Sequence, residues 1–489
     1  MIFSSFQYFL FLPIVVFFYW RLKGAARLGL VVAASYFFYM SWMPVYGILL
    51  FALSTLCWGL GLAIAKYRES SPKTAKAILS GAIVFNLLCL CYYKYSNFFL
   101  SNLFSSLGWL GNQLQIAHLE SLKAPALQII LPLGISFFVF EFIHYLVDVY
   151  KGSKSVRSWM EFSAFAAFFP SQIAGPIKRY QDFEENLRNP LPWSSSLFFE
   201  GMTLITQGLF KKIAIADPIG WVISTSYASS QAISATDAWI AFFGFSIQIF
   251  CDFSGYTDMG RGSALMMGIR LPVNFELPYM AEDITVFWRR WHISLSSWIR
   301  DYIYIPMGGS RCSKWESARN LFVTMALCGL WHGAAWQFVV WGALHGLALI
   351  VNRLWKQVLE RFDALRQIAE LPPMRLLNLF LTFMFVAACF VMFRAPDLKS
   401  TFNIFASLFN FGMESNTLVF LIRTGMPVFM TVYMLFWILT EQCKKNLKYS
   451  LPSQLVFPLP LRLAAWTATL LFLFAAKPTQ VTPFIYFQF

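Results

Sequence analysis

Charge is scarce in this chain. Only 13% of its 489 residues are Asp, Glu, Lys or Arg, where soluble domains carry roughly a quarter. Several soluble domains could not be wetted by so few charges, which excludes the ordinary multidomain soluble class. Acid is scarcer than base, with 24 Asp and Glu against 38 Lys and Arg and a formal net charge of +14. On a soluble chain that excess would point to nucleic acid. Here the basic residues stand in short loops between apolar segments, where they set orientation in a bilayer. No basic strand interleaved with aromatics accompanies them, so no nucleic-acid partner is expected. Cysteine is present at eight positions: Cys57, Cys89, Cys91, Cys251, Cys312, Cys328, Cys389 and Cys443. None forms a CxxC pair, and most lie inside apolar runs as small buried hydrophobes. A P-loop, a GxGxxG turn and a metal-spaced His/Asp cluster are all missing, so no metal is expected.

What the chain has instead is apolar length. Hydrophobic residues are 58% of it and aromatics 19%, and stretches near the roughly 20 residues that span a bilayer recur throughout. The expected fold is all-α, a polytopic membrane protein of about 11–13 transmembrane helices with re-entrant segments around a central tunnel. Met1–Trp20 lacks a basic n-region and a small-residue cleavage site, so it is expected as a retained first span. Spans are expected at 6–20, 28–43, 46–65, 77–93 and 127–149, with an external loop over 96–126 and a last span near 461–476. Arg21, Lys23, Lys66, Lys73, Lys151 and Lys154 mark cytoplasmic ends, which leaves both termini outside.

One membrane domain is expected over 1–489. Its parts are scaffold helices to 158, a core at 159–350, further scaffold helices at 351–480 and an external tail at 481–489. The core is set apart by Pro170, Pro176, Pro272, Pro278 and Pro306, and by charges such as Lys211, Lys212, Asp252, Asp258, Arg289, Arg290, Arg300 and Asp301. Broken helices and charge survive at membrane depth only where protein or a water-filled cavity surrounds them.

Histidine occurs five times, three of them between 292 and 345. His332, in Gly329-Leu-Trp-His-Gly333, sits within the apolar stretch 321–350. A buried neutral imidazole there can act as a general base, and the flanking glycines permit close approach of chain or substrate. A hydrogen-bonded core histidine is the alternative. His292 lies in Phe287-Trp-Arg-Arg-Trp-His292. Trp288, Arg289, Arg290 and Trp291 suit an anionic, partly apolar ligand, or equally an interfacial helix with lipid contacts. His345 reads as helix packing and His118 as a loop residue. Glu141, His144 and Asp148 share one helix face and read as an ion-pair site. Ser254 lacks the G-x-S-x-G setting of a nucleophile. Tyr486, in the aromatic tail Phe484–Phe489, is an interfacial anchor or a phenolic acyl acceptor.

In order, Met1-Ile-Phe-Ser-Ser5, Ser35-Tyr-Phe-Phe-Tyr39, Leu131-Pro-Leu-Gly-Ile-Ser-Phe137, Val147–Tyr150, Phe169-Pro170, Ala174-Gly-Pro176, Lys211-Lys212, Ala216-Asp217, Asp252–Tyr256, Asn274-Phe275, Phe287–His292, Arg300–Tyr302, Trp331–Gly333 and Phe393–Ala395 resemble the membrane-bound O-acyltransferase family, in its bacterial polysaccharide O-acetyltransferase branch. The resemblance covers nearly the whole chain. It implies that His332 is catalytic and His292 the second signature position, with Asp252, Tyr256, Asp301 and Trp331 in support. It also implies a cytoplasmic thioester donor, here acetyl-CoA used as a substrate with no bound cofactor, and an acceptor reached from the opposite side through a tunnel. Arg261 and His144 depart from the family pattern. The Phe-x-Tyr-x-x-Phe tail resembles that of small membrane proteins accompanying D-alanyl exporters, which would make Tyr486 an acyl relay to an extracytoplasmic SGNH-type transferase and a polysaccharide. The implied location is the bacterial inner membrane. A flippase for lipid-linked sugars, or D-alanyl transfer from a carrier protein, remains the alternative.

Overall fold

The structure, a computed structural model, describes residues 1–116, 122–173, 175–229, 231–415 and 484. Every regular element among these residues is helical. The first three helices are α1 (Phe6–Arg21), α2 (Gly24–Met40) and α3 (Pro44–Ser70). A Ser5 hydroxyl accepts from the Tyr8 N–H to start α1, and Pro44 stands in the first turn of α3, where its missing N–H costs nothing.

The next span departs from expectation. α4 (Pro72–Leu90) passes through a π turn, Cys91–Tyr95, into α5 (Ser96–Leu114), giving one apolar helix of 43 residues. Residues 96–114 are therefore helix and not external loop. Their polar side chains are no barrier, because Ser96, Asn102 and Ser106 donate back to carbonyls four residues earlier. Described residues 122–134 carry no regular structure, and α6 (Ile135–Lys151) starts later than position 127. Pro132 and Gly134 explain the delay. Gly134 holds φ +71, and a Cβ there would stand 2.6 Å from the Gln172 carbonyl oxygen.

The interrupted middle consists of α7 (Trp159–Ala167), α8 (Tyr180–Arg188), α9 (Ser195–Leu209), a second π turn (Phe210–Ala216), α10 (Asp217–Ala228) and the 32-residue α11 (Ala235–Met266). Short helices α12 (Ile284–Arg290) and α13 (Ile293–Ile299) follow, then a π turn at Arg300–Tyr304, α14 (Lys314–His332) and α15 (Trp336–Arg361). The last described elements are α16 (Asp363–Glu370), α17 (Pro372–Arg394) and α18 (Leu398–Ser407). Among the described residues five helices are long and apolar enough to cross a membrane, and α1 and α2 are shorter apolar helices. The protein is an all-α, polytopic membrane protein. The expected last span, 461–476, lies outside the described residues.

Charge in the middle is paired. Lys212 meets Asp217 at 2.7 Å and Asp252 at 2.9 Å, joining the second π turn to α10 and α11. Lys211 meets Asp258 at 2.7 Å, and Arg261 shares the same carboxylate. Non-helical backbone around Phe168 and Phe169 is fully buried, as broken chain within a bilayer requires.

Candidate active site

His332 is the last residue of α14 and is buried. The helix opens on a capping box between Ser313 and Glu316. Its far end is pressed against α15: a Cβ on Gly329 or Gly342 would meet the other glycine's Cα at 3.0 Å. The two backbones touch one turn from His332, the close approach expected of those small residues. The imidazole is walled by Trp331, Trp341 and Phe393, with ring centroids at 4.8, 5.1 and 5.2 Å. Cys328 Sγ lies 4.0 Å from its Nε2, one turn back along α14.

Behind the histidine stands a residue the sequence reading passed over. Lys94 Nζ donates to the Trp331 and His332 carbonyls at 2.6 and 2.9 Å, and the Tyr95 hydroxyl donates to the Leu330 carbonyl at 2.8 Å. A signal was available: Lys94 is a lone lysine at the end of a span away from the basic loops.

His292 caps the start of α13 with φ +43 and ψ +54. It is fully buried, and its Nδ1 lies 3.3 Å from Asn274 Oδ1. Its Nε2 has no hydrogen-bond partner among the described residues. The ring packs on Phe253 at 4.7 Å and on Trp331 at 6.3 Å, so His292 and His332 flank the same indole. His345 belongs to the same wall. It accepts from Trp288 Nε1 at 3.3 Å and packs on Trp341 at 4.6 Å.

Two cavities reach this turn of α14. One, of about 380 Å³, is lined by Trp42, Lys94, the Ile130–Phe137 segment, Ile173, Trp331 and His332. The other, of about 740 Å³, contains Trp288, Arg289, Arg300, Tyr304, Arg353, Lys356 and, at its wall, Cys328. Of the four residues expected around an anionic ligand, Trp288 and Arg289 line this cavity. Arg290 turns to the Met280 carbonyl at 2.9 Å, and Trp291 packs among Phe275, Phe287 and Phe390. Arg300 was marked in sequence only as a charge of the core, and Arg353 and Lys356 were not singled out, because they lie on α15, more than 60 residues from Arg289.

The remaining candidates stand apart from the imidazole. Asp252 is held by Lys212, and Tyr256 is buried against Phe3 and Phe484. Asp301 pairs with Arg179 and Arg300. The Glu141 face is an ion-pair site as expected: Lys178 bonds Glu141 at 2.7 Å, and Tyr302 donates to Asp148 at 2.8 Å. His144 packs between Phe165 and Tyr302. His118 and Tyr486 lie outside the described residues. Phe484, two positions before Tyr486, is buried with its ring 5.7 Å from Phe253. Among the described residues no group of three or more His, Cys, Asp or Glu side chains is placed to hold a metal ion.

Fold and site together define an all-α membrane protein with a buried histidine approached by two cavities. Residues 135–394 match the sequence profile of MBOAT, the membrane-bound O-acyltransferase family, and the chain belongs to that family. It is 38% identical to a probable alginate O-acetylase, AlgI, of Azotobacter vinelandii, over 84% of this chain and 79% of that protein. It is 30% identical to the peptidoglycan O-acetyltransferase of Helicobacter pylori, over 98% and 96% of the two chains. A teichoic acid D-alanyltransferase of Streptococcus thermophilus is 27% identical over 53% of this chain. The protein is an O-acyltransferase of the membrane.

Proposed function

We propose that the protein moves an acetyl group from a cytoplasmic thioester, acetyl-CoA, across the bacterial inner membrane for O-acetylation of a cell-wall or extracellular polysaccharide. One observation carries this reading: the two cavities end on one turn of α14, with Cys328 at the wall of the larger and His332 at the wall of the smaller. The larger cavity holds Arg289, Arg300, Arg353 and Lys356, a set suited to the phosphates of an anionic donor. The smaller is lined by Ile130–Phe137, at the end of the expected 127–149 span that the basic-loop pattern assigns to the outer side.

In the proposed step a hydroxyl enters from the smaller cavity and His332 takes its proton. The oxygen attacks the thioester carbonyl carbon, the carbon–sulfur bond breaks, and the thiol leaves with the proton His332 received. His292, whose ring packs on Trp331, orients or polarises the carbonyl. General-base action contributes about 10²–10⁴ in rate, and alignment of the reactants in a closed site adds to it. The acceptor hydroxyl is that of Tyr486, which passes the acetyl group to an extracytoplasmic SGNH-type transferase. The burial of Phe484, two positions before Tyr486, against Phe253, itself in contact with His292, supports this reading.

The test is acetyl-CoA-dependent transfer by membranes carrying the full-length protein. His332→Ala is expected to abolish release of CoA while the protein remains in the membrane, and peptide mass analysis of the wild type to find an acetyl group on Tyr486. Normal transfer by His332→Ala sinks the mechanism. If Tyr486→Phe acetylates polymer normally, the hydroxyl comes directly from the polysaccharide. Absence of CoA release from the wild type favours a flippase, and release only with an aminoacylated carrier favours D-alanyl transfer.

A further inference from the structure

The helix that carries Lys94 is built around an irregularity. Its π turn, Cys91–Tyr95, interrupts an otherwise α-helical run from Pro72 to Leu114. Single π turns are rare and gather at functional sites. In a regular α-helix, adjacent residues do not share a face. Here Lys94 and Tyr95 both reach the end of α14, where they take the carbonyls of Leu330, Trp331 and His332.

Those carbonyls need partners. The last four carbonyls of an α-helix have no partner within it, and a chain that reverses after the helix often supplies them. Gly333 instead leaves in an extended conformation, φ −161 and ψ 152. The bonds therefore come from residues 235–238 positions away. A cation at a helix C-terminus also meets the negative end of the helix dipole. Lys94 shares the 380 Å³ cavity with His332, and an ammonium with two carbonyls bound has a third N–H to offer that space.

We propose that Lys94, with Tyr95 beside it, is a positioning residue for acyl transfer. The pair locks the last turn of α14, so that the His332 ring keeps one orientation between the two cavities. The inference rests on the reading of His332 as general base. It gives the π turn a place in the site: Lys94 and Tyr95, the last two residues of that turn, are the pair that meets the helix end.

The test uses membrane vesicles carrying the full-length protein, radiolabelled acetyl-CoA as probe, and rates normalised to folded protein measured by size exclusion in detergent. Displacing a catalytic group by an ångström costs about 10²-fold, so Lys94→Met is expected to lower the maximal rate about 10–100-fold with the KM for acetyl-CoA unchanged. Lys94→Arg, which keeps a donor and a charge, restores part of the rate, and Tyr95→Phe loses less than Lys94→Met. A wild-type maximal rate in Lys94→Met overturns the proposal, as does a Lys94→Arg variant no better than Lys94→Met. If Lys94→Met fails to fold, Lys94→Arg and Tyr95→Phe decide: wild-type rate in Tyr95→Phe overturns the paired clamp, and a lowered rate at unchanged KM supports it. His332→Ala, run alongside, separates the two readings. Full transfer by that variant removes the general base, whereas an inactive His332→Ala beside a fully active Lys94→Met removes only the clamp.

Discussion

His292 occupies the left-handed region, which residues with a side chain rarely adopt. Such a residue costs about 1–3 kcal/mol and persists where its surroundings over-determine it. Asn274 does so here. Its backbone carbonyl takes the Ile293 N–H at 3.0 Å. Its Oδ1 takes the Ser294 N–H at 3.1 Å and the Ser294 hydroxyl at 2.9 Å, with His292 Nδ1 at 3.3 Å. Asn274→Ala would leave buried donors without an acceptor, a loss of about 1–3 kcal/mol. We expect a lower melting temperature in detergent and a lower transfer rate together. Retention of both at wild-type values would mean that the His292 turn is held elsewhere. Asn274-Phe275 was legible as a motif, but the asparagine's role was not, because the turn it holds lies 18–20 residues further along the chain.

Among the elements, the crossing of α14 and α15 sets where His332 stands. A Cβ on Gly329 would run into the Phe338 carbonyl and the Gly342 backbone. Backbone cannot swing aside as a flexible side chain can. Gly329→Ala is therefore expected to cost about 1–3 kcal/mol as an overpacked contact and to reduce acetyl transfer, since His332 is three residues on. Gly59, in the middle of α3, has nothing within 4 Å of its would-be Cβ. Gly59→Ala should be neutral, or stabilising by about 0.5–1 kcal/mol through helix propensity. Thermal unfolding of both variants in the same detergent checks the contrast, and equal melting temperatures would refute the close-crossing account. The glycines around His332 were readable as small residues permitting approach. Which helix approaches was not, because residue type fixes the distance allowed and not the neighbour.

For the whole molecule, the consequence of two cavities is sidedness. The cavity with Arg289, Arg300, Arg353 and Lys356 is the proposed donor entrance. Sealed inside-out vesicles are expected to consume acetyl-CoA added to the medium, and right-side-out vesicles to leave it untouched until they are permeabilised. Equal rates from both preparations would exclude a single donor face. The buried ion pairs Lys178–Glu141 and Lys212–Asp252 belong to the same scale, because each ties together segments about 40 residues apart in sequence. Removing one partner of such a set costs more than the set contributes, since the charge left behind stays buried.

The sequence by itself determined the membrane class, the all-α fold and His332 as the leading candidate. Each of these depends on local properties: apolar length, where basic loops fall, and which residues neighbour the histidine. The early spans were legible for the same reason, with α1 and α3 close to their expected positions. Only the tertiary structure decided the rest. It carried residues 96–114 on as helix, turned Arg289 into a cavity and Arg290 away from it, and brought Arg353 and Lys356 beside Arg289. It also set Lys94 under the carbonyls of Trp331 and His332. Charge placed within apolar sequence announces that a partner must exist, because a bilayer does not tolerate it otherwise. The identity of that partner is a matter of packing between helices, which no local pattern encodes.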